Sequence, residues 1–142
     1  MIIKLLKLNS KAITPIYATS GSAGFDFHSV RDVFVPAGAT VLVETGLSLE
    51  IPVGYELQVR PRSGMSAKTK IRVSNSPGTV DSDYRGEIKI IIDNIGKEGY
   101  EIKTGDRIAQ GIVAPVVQVT FQEVTDLEET DRGMGGFGSS GI

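Results

Sequence analysis

Residues 76–87 read Ser76-Pro77-Gly78-Thr79-Val80-Asp81-Ser82-Asp83-Tyr84-Arg85-Gly86-Glu87. Runs of strand character flank them, residues 70–73 before and 87–92 after. Pro77-Gly78 predicts a tight bend, because proline presets φ and glycine accepts positive φ. Two carboxylates and a tyrosine then fall within four residues. Taken alone, the stretch is an acidic surface hairpin. A plain hairpin has no need of so many polar groups around one aromatic ring. A hairpin that holds a polar ring and positions a general base does.

Outward from this bend, nearly every element reads as strand. Residues 2–8 are mostly apolar, and residues 33–35 and 40–43 enclose the turn Pro36-Ala37-Gly38. Leu47, Leu49 and Ile51 alternate with polar residues, the period of a half-buried strand. Residues 55–60, 88–92, 107–113 and 116–124 continue the pattern, punctuated by Pro52-Val53-Gly54, Ile95-Gly96-Lys97-Glu98-Gly99 and Lys103-Thr104-Gly105-Asp106. One short helix is predicted over residues 63–68, with Ser63 as its cap. Many short strands between turns predict an all-β fold, a distorted barrel or double-sheet jelly roll with one helix.

A chain of 142 residues is long enough for one domain with a real core. No apolar run approaches the roughly 20 residues of a membrane span, and the start of the chain lacks a signal-peptide pattern. The absence of cysteine excludes disulfides and thiolate zinc sites and fits a reducing, cytoplasmic setting. The net charge of −2 gives no basic field for nucleic acid. Its distribution is uneven. Residues 57–80 hold five cations (Arg60, Arg62, Lys68, Lys70, Arg72) and no acid, whereas residues 123–131 hold five acids and no cation. A local basic segment on an acidic protein suits a small polyanion.

Residues 132–141 are too rich in glycine for a strand or helix interior. Their composition is that of a disordered terminus. They also place Arg132 and Phe137 among glycines whose amides can curl around phosphate oxygens. Arginine adds a bidentate donor to phosphate, and an aromatic ring can cap a base by stacking.

Five segments, in order, resemble the five motifs of the homotrimeric dUTPases. They are Ala23-Gly24-Phe25-Asp26-Phe27-His28-Ser29, Pro61-Arg62-Ser63-Gly64-Met65-Ser66-Ala67-Lys68, the opening stretch with Asn75 before it, Gly105-Asp106-Arg107-Ile108-Ala109-Gln110, and the glycine-rich tail. Five such segments in one order are far more specific than any one of them. Departures are small: Phe25 and Phe27 stand around Asp26 where tyrosine and leucine are more usual, and Ser139-Ser140 stands where serine-threonine is common.

The resemblance implies a homotrimer that hydrolyses dUTP to dUMP and pyrophosphate with Mg²⁺, supporting dUMP supply and keeping uracil out of DNA. It implies that Asp81 activates the attacking water and meets the sugar 3′-hydroxyl, a double acceptor task suited to a carboxylate. It implies that Tyr84 packs on the deoxyribose and excludes a 2′-hydroxyl. Asn75, Gly78 and Val80 fall to uracil and sugar recognition, with Lys89 beside them among the substrate-binding residues. Arg62, Ser63, Gly64, Gln110 and Arg132 fall to the phosphates, and Phe137, Gly138 and Ser139 to a closing arm. Asp26 supports the metal indirectly, through water. Arg107 and Asp106 read as structural, and His28 as a surface histidine. The implied organisation is a β-barrel domain over residues 1–125 and a flexible arm over 126–142, with neither nucleic acid nor membrane as partner. Two other readings use the same scaffold. A dCTP deaminase would lack the arginine–phenylalanine tail in this form, and a catalytically idle binding protein would have lost Asp81, Arg132 or Phe137.

Overall fold

The computed structural model describes residues 1–139. Ser140 and Gly141, which end the fifth motif, lie outside the described residues. The strands are β1 (Lys4–Lys7), β2 (Phe25–His28), β3 (Val33–Val35), β4 (Thr40–Glu44), β5 (Leu47–Glu50) and β6 (Tyr55–Arg60). The helix α1 (Ser63–Lys68) follows, then β7 (Ile71–Val73), β8 (Gly78–Val80), β9 (Lys89–Asn94), β10 (Tyr100–Ile102) and β11 (Arg107–Pro115). One sheet runs β2-β11-β6-β8 and a second runs β4-β9-β7, with two-stranded ribbons β1-β5 and β10-β3 beside them. Every pairing is antiparallel. The fold is the expected all-β jelly roll with one short helix.

Two-residue periodicity builds the core. In β9, Ile90, Ile92 and Asn94 are buried while Lys89 is exposed. Phe27, Val35, Val43, Leu57, Ile71, Ile102 and Ile108 meet them from the other strands. Each such side chain contributes about 1.5–3 kcal/mol by leaving water. Asn94 is the polar exception. Its Nδ2 donates to the carbonyls of Val35 (3.0 Å) and Glu98 (2.7 Å), and its Oδ1 accepts from Gly96 N (3.0 Å). A buried amide satisfied on both ends fixes the turn after β9.

The expected turns are present. Gly38, Gly54 and Gly105 have φ of 72°, 86° and 89°, the region that glycine enters without a Cβ clash. The runs flanking the opening stretch do pair, Ile71 with Asn94 and Val73 with Ile92. Between them, β8 leaves the hairpin and pairs with β6 of the other sheet. The connection is a bridge between sheets, wider than the simple hairpin that the sequence predicts.

Four other expectations need correction. The strand over residues 2–8 shortens to Lys4–Lys7, because β5 offers only four residues to pair with it. The helix lies where predicted, but Ser63 is its first residue and Arg62 the cap. Arg62 makes no side-chain capping bond, because a guanidinium has no acceptor for the free N–H groups of the first turn; it donates to Asp26. Gly78 does not adopt positive φ; its missing side chain serves close packing instead. Residues 116–124 form no strand. Val117, Val119 and Phe121 alternate correctly but remain exposed, because no strand edge of the same chain lies beside them. Strands β2, β8 and β10 are too short for alternation to mark them.

The bend between β4 and β5 carries an exacting glycine. Gly46 has φ of 65°, and a Cβ there would lie 2.8 Å from Asn9 Cβ and 3.0 Å from both Ala12 Cβ and Val30 Cγ1. Gly46→Ala is therefore expected to cost about 2 kcal/mol. A lower urea midpoint at unchanged slope would show it; an unshifted midpoint would contradict this account of the bend.

Candidate active site

Val80, Asp81, Tyr84 and Lys89 line one cleft and Asp26, Arg62, Ser63, Gly64 and Gln110 another, and the two share no lining residue. The first, of about 370 Å³, lies along the opening stretch and the start of β9, and is lined by Val80, Asp81, Tyr84, Glu87 and Lys89 among others. Tyr84 N donates to Asp81 O (3.2 Å), closing a turn that sets the acid and the ring side by side. Arg85 Nη1 donates to the carbonyls of Ser82 (2.7 Å) and Tyr84 (3.0 Å), which locks the turn from outside.

Among the described residues, the Asp81 carboxylate makes no hydrogen bond and no ion pair. Asp83 in the same turn is free in the same way, whereas two other turn carboxylates behave differently. Asp106 Oδ2 accepts from Lys103 N (2.8 Å), and Asp32 Oδ1 accepts from Thr104 N (2.8 Å). Those two spend their oxygens on backbone. Asp81 keeps both oxygens for another acceptor task. Lys89 does not: its Nζ pairs with Glu44 and with Glu87, each at 3.5 Å.

Asn75 and Gly78 sit together beside this cleft. A Cβ on Gly78 would come within 3.1 Å of Asn75 Nδ2 and 3.3 Å of Val59 Cβ. The glycine therefore lets the Asn75 amide press against β8. Strand β8 ends its sheet, with β6 on one side only. Its outer edge keeps backbone donors and acceptors unpaired.

The second cleft, also about 370 Å³, is lined by Asp26, Arg62, Ser63, Gly64, Arg107 and Gln110 among others. Strand β2 carries Asp26, β11 carries Arg107 and Gln110, and the start of α1 brings Ser63 and Gly64. Arg62 Nε donates to Asp26 Oδ1 at 2.8 Å, with both side chains three-quarters buried. Arg107 Nη1 approaches Asp26 Oδ2 at 3.4 Å. Two guanidiniums on one carboxylate leave the cleft with a net positive charge, suited to an anion. Gln110 Nε2 donates to Pro61 O (2.9 Å), holding the segment that carries Arg62. Gly24 makes room for that amide: a Cβ there would lie 2.9 Å from Gln110 Oε1.

Sequence reasoning took Arg107 as structural, whereas it lines the second cleft. Its i−3 spacing from Gln110 on a strand puts it on the opposite face by simple alternation. The irregular register of β11 against β2 between Arg107 and Ala109 undoes that rule.

Among the described residues, none of the tail lines either cleft. Arg132 Nε donates to Gly135 O (2.9 Å), and Phe137 is fully exposed with φ of 51°. Gly138 follows at φ of 93°, and Ser139 N donates to Gly136 O (3.0 Å).

An all-β scaffold that sets an unpaired carboxylate beside a tyrosine, and guanidiniums in a second cleft, defines a protein for a phosphorylated ligand. The comparisons with known proteins narrow this class. Residues 10–141 match the dUTPase family model. The chain is 53% identical over 141 residues to a deoxyuridine 5'-triphosphate nucleotidohydrolase of Nautilia profundicola, covering 99% of each. It is 49% identical over 142 residues to the Helicobacter pylori protein of the same name, covering 100% of this chain and 98% of the relative. Among solved structures, a dUTPase of Staphylococcus bacteriophage 80alpha with dUpNHpp superposes with a TM-score of 0.92 at 27% identity, covering 99% of both chains. The chain belongs to the dUTPase family.

His28, expected at the surface, is partly buried in β2, and its Nδ1 has no hydrogen-bond partner. Burial lowers its pKa below 6.5, Arg107 and Arg62 lower it further, and Asp26 opposes them. The folded state thus disfavours the imidazolium. The stability this represents is intact above the unfolded pKa of 6.5 and is lost as pH falls through the folded value. His28→Gln should therefore flatten the fall in melting temperature between pH 7.5 and pH 5; an equally steep fall in the variant would contradict the assignment.

Proposed function

We propose that this chain hydrolyses dUTP to dUMP and pyrophosphate in the cytoplasm, as one subunit of a homotrimer. The observation that carries the reading is the unpartnered Asp81 carboxylate beside Tyr84, in a chain of the dUTPase family. One Asp81 oxygen accepts the sugar 3′-hydroxyl and the other accepts a proton from water. The water oxygen bonds to the α-phosphorus, the bond from that phosphorus to the α–β bridging oxygen breaks, and pyrophosphate leaves. The proton of the water passes to Asp81.

The rest of the first cleft selects the nucleoside. Uracil presents two carbonyl acceptors and one N–H donor, and the free edge of β8 with the Asn75 amide offers a complementary set. A site that hydrogen-bonds its ligand discriminates better than one that merely encloses it. Tyr84 closes the space that a 2′-hydroxyl needs. Lys89 is held by Glu44 and Glu87, so its contribution is to the shape of the wall.

A triphosphate carries roughly four negative charges, more than the first cleft can accept beside Asp81. Arg62, Ser63, Gly64 and Gln110 in the second cleft answer that charge. Because the two clefts are separate on one chain, a complete site draws them from two copies, and the trimer reading supplies both. Arg132 and Phe137 with Gly138 and Ser139 then close over the bound nucleotide as an arm, the phenylalanine on the base and the arginine on the phosphates.

Mg²⁺ fits this donor set in one way. Among the described residues there is no group of three His, Cys, Asp or Glu side chains that would cage a metal. Asp26 already receives two guanidiniums. The ion would be held by phosphate oxygens and waters, with Asp26 reaching it through water, and it would neutralise phosphate charge. Among the described residues, no helix is long and apolar enough to cross a membrane.

The test is pyrophosphate release from dUTP, with UTP, dTTP and dCTP alongside, each with and without Mg²⁺. The expected result is turnover of dUTP alone, lost on chelation and lowered at least about 100-fold in kcat by Asp81→Asn. Ammonia from dCTP would move the chain to the deaminase branch, and full activity of the Asp81→Asn enzyme would remove Asp81 from the mechanism.

A further inference from the structure

The tyrosine in the first cleft is half-exposed, yet it is held from behind by groups with no assigned role. Its ring lies across Gly86. A Cβ on Gly86 would sit 2.5 Å from Tyr84 Cζ and 2.9 Å from Cε2, and closer still to the hydroxyl oxygen. Gly86 is not at positive φ, so its backbone would accept alanine. The glycine is there because the ring occupies the place of a side chain.

The hydroxyl is also fixed. Tyr84 Oη donates to Glu87 O at 3.0 Å. Glu87 is pinned in turn to the bend between β4 and β5. Its Oε1 accepts from Gly46 N at 2.8 Å, and its Oε2 faces Lys89 Nζ at 3.5 Å. The neighbours of Glu87 meet the same bend. Ser48 Oγ donates to Arg85 O (2.8 Å), Thr45 Oγ1 donates to Ile88 O (2.6 Å), and Ile88 N donates to Leu47 O (2.8 Å). Thr45, Leu47 and Ser48 are buried. Residues 84–88 are thus laced to a buried bend of the fold, while Tyr84 stays half-exposed on the cleft side.

We infer that Gly86 and Glu87 are positioning residues for sugar selectivity: they hold the Tyr84 ring against the core so that it fills the space of a 2′-hydroxyl. The inference rests on the reading of Tyr84 as the deoxyribose wall. Steric exclusion of one oxygen atom requires a wall that cannot yield by more than a fraction of its radius. A free, half-exposed tyrosine hops between rotamers and yields. A tyrosine flattened on a glycine and bonded through its hydroxyl does not. A methyl group on residue 86 forces the ring outward by about an ångström to regain ordinary contact, and this breaks the bond to Glu87 O. Loss of the Glu87 carboxylate removes the bond from Gly46 N, and with it a tie on the residue whose carbonyl receives the Tyr84 hydroxyl.

The experiment compares kcat/KM for dUTP and UTP in Gly86→Ala, Glu87→Ala, Glu87→Gln and Tyr84→Ala, each as the full chain in its native assembly. Gly86→Ala and Glu87→Ala are expected to lower the dUTP-to-UTP ratio at least tenfold. In both, KM for dUTP rises and kcat for dUTP stays within a few-fold, because Asp81 is untouched. Glu87→Gln keeps an acceptor for Gly46 N and should restore the ratio, which a general loss of stability would not do. An unchanged ratio in Gly86→Ala and Glu87→Ala, with a collapsed ratio in Tyr84→Ala, overturns the inference alone. An unchanged ratio in Tyr84→Ala overturns the reading of the wall and the inference with it. If Gly86→Ala does not fold, the Glu87 pair decides the matter.

Discussion

Strand β9 is the constraint on which the rest depends. It lies between β4 and β7, and Ile90 and Ile92 on its inner face are buried in the core. Once β7 and β9 are paired, the chain between Val73 and Lys89 has a fixed start and a fixed end. Within that span it has to reach β6 in the other sheet and return. The reach is β8, and the return is the turn of Asp81 and Tyr84 followed by the lacing of residues 85–88 to the β4–β5 bend. The acid and the ring are therefore placed by the sheets themselves. A loop this long without such ties would sample many shapes, at a conformational cost of about 1–2 kcal/mol for each residue ordered on binding.

The second cleft follows a different logic, in which charge rather than chain path sets geometry. Asp26 on β2 draws Arg62 inward at 2.8 Å and Arg107 at 3.4 Å. An arginine paired this way is oriented before any ligand arrives, and little rotamer entropy remains to be lost. In the reading proposed for the site, Asp26 acts on the phosphates through the arginines it orients as well as through metal-bound water.

Much of this was legible in the sequence where local chemistry fixes local shape. Proline–glycine and threonine–glycine turns, the alternation in β6 and β9, and the single helix at Ser63–Lys68 lie where residue types alone put them. Where two distant segments decide the outcome, the sequence was silent. Packing misleads even locally: Gly78 reads as a bend former, but its missing side chain makes room for Asn75, as that of Gly86 does for Tyr84. Arg107 enters the cleft through a register irregularity that no alternation rule contains. Glu87 reads as a strand-end acid and is instead the clasp on Gly46. The five motifs pointed to the candidate residues. They did not reveal that one chain divides them between two clefts.

That division bears on the exposed end of the chain. After Pro115, residues 116–139 contain neither strand nor helix, and Val117, Val119, Phe121 and Leu127 are exposed. Each such side chain forgoes about 1.5–3 kcal/mol available from burial. The five acids over residues 123–131 keep the segment from collapsing onto itself. In a homotrimer, a β-patterned segment with an apolar face and no partner strand in its own chain would be covered by another copy. On the proposed reading, the same contact that buries these side chains carries Arg132 and Phe137 across the subunit boundary, toward a site whose two clefts already come from different copies. Assembly and completion of the site would then be one event, with the apolar stretch supplying the affinity and the glycine-rich end left loose enough to open and close.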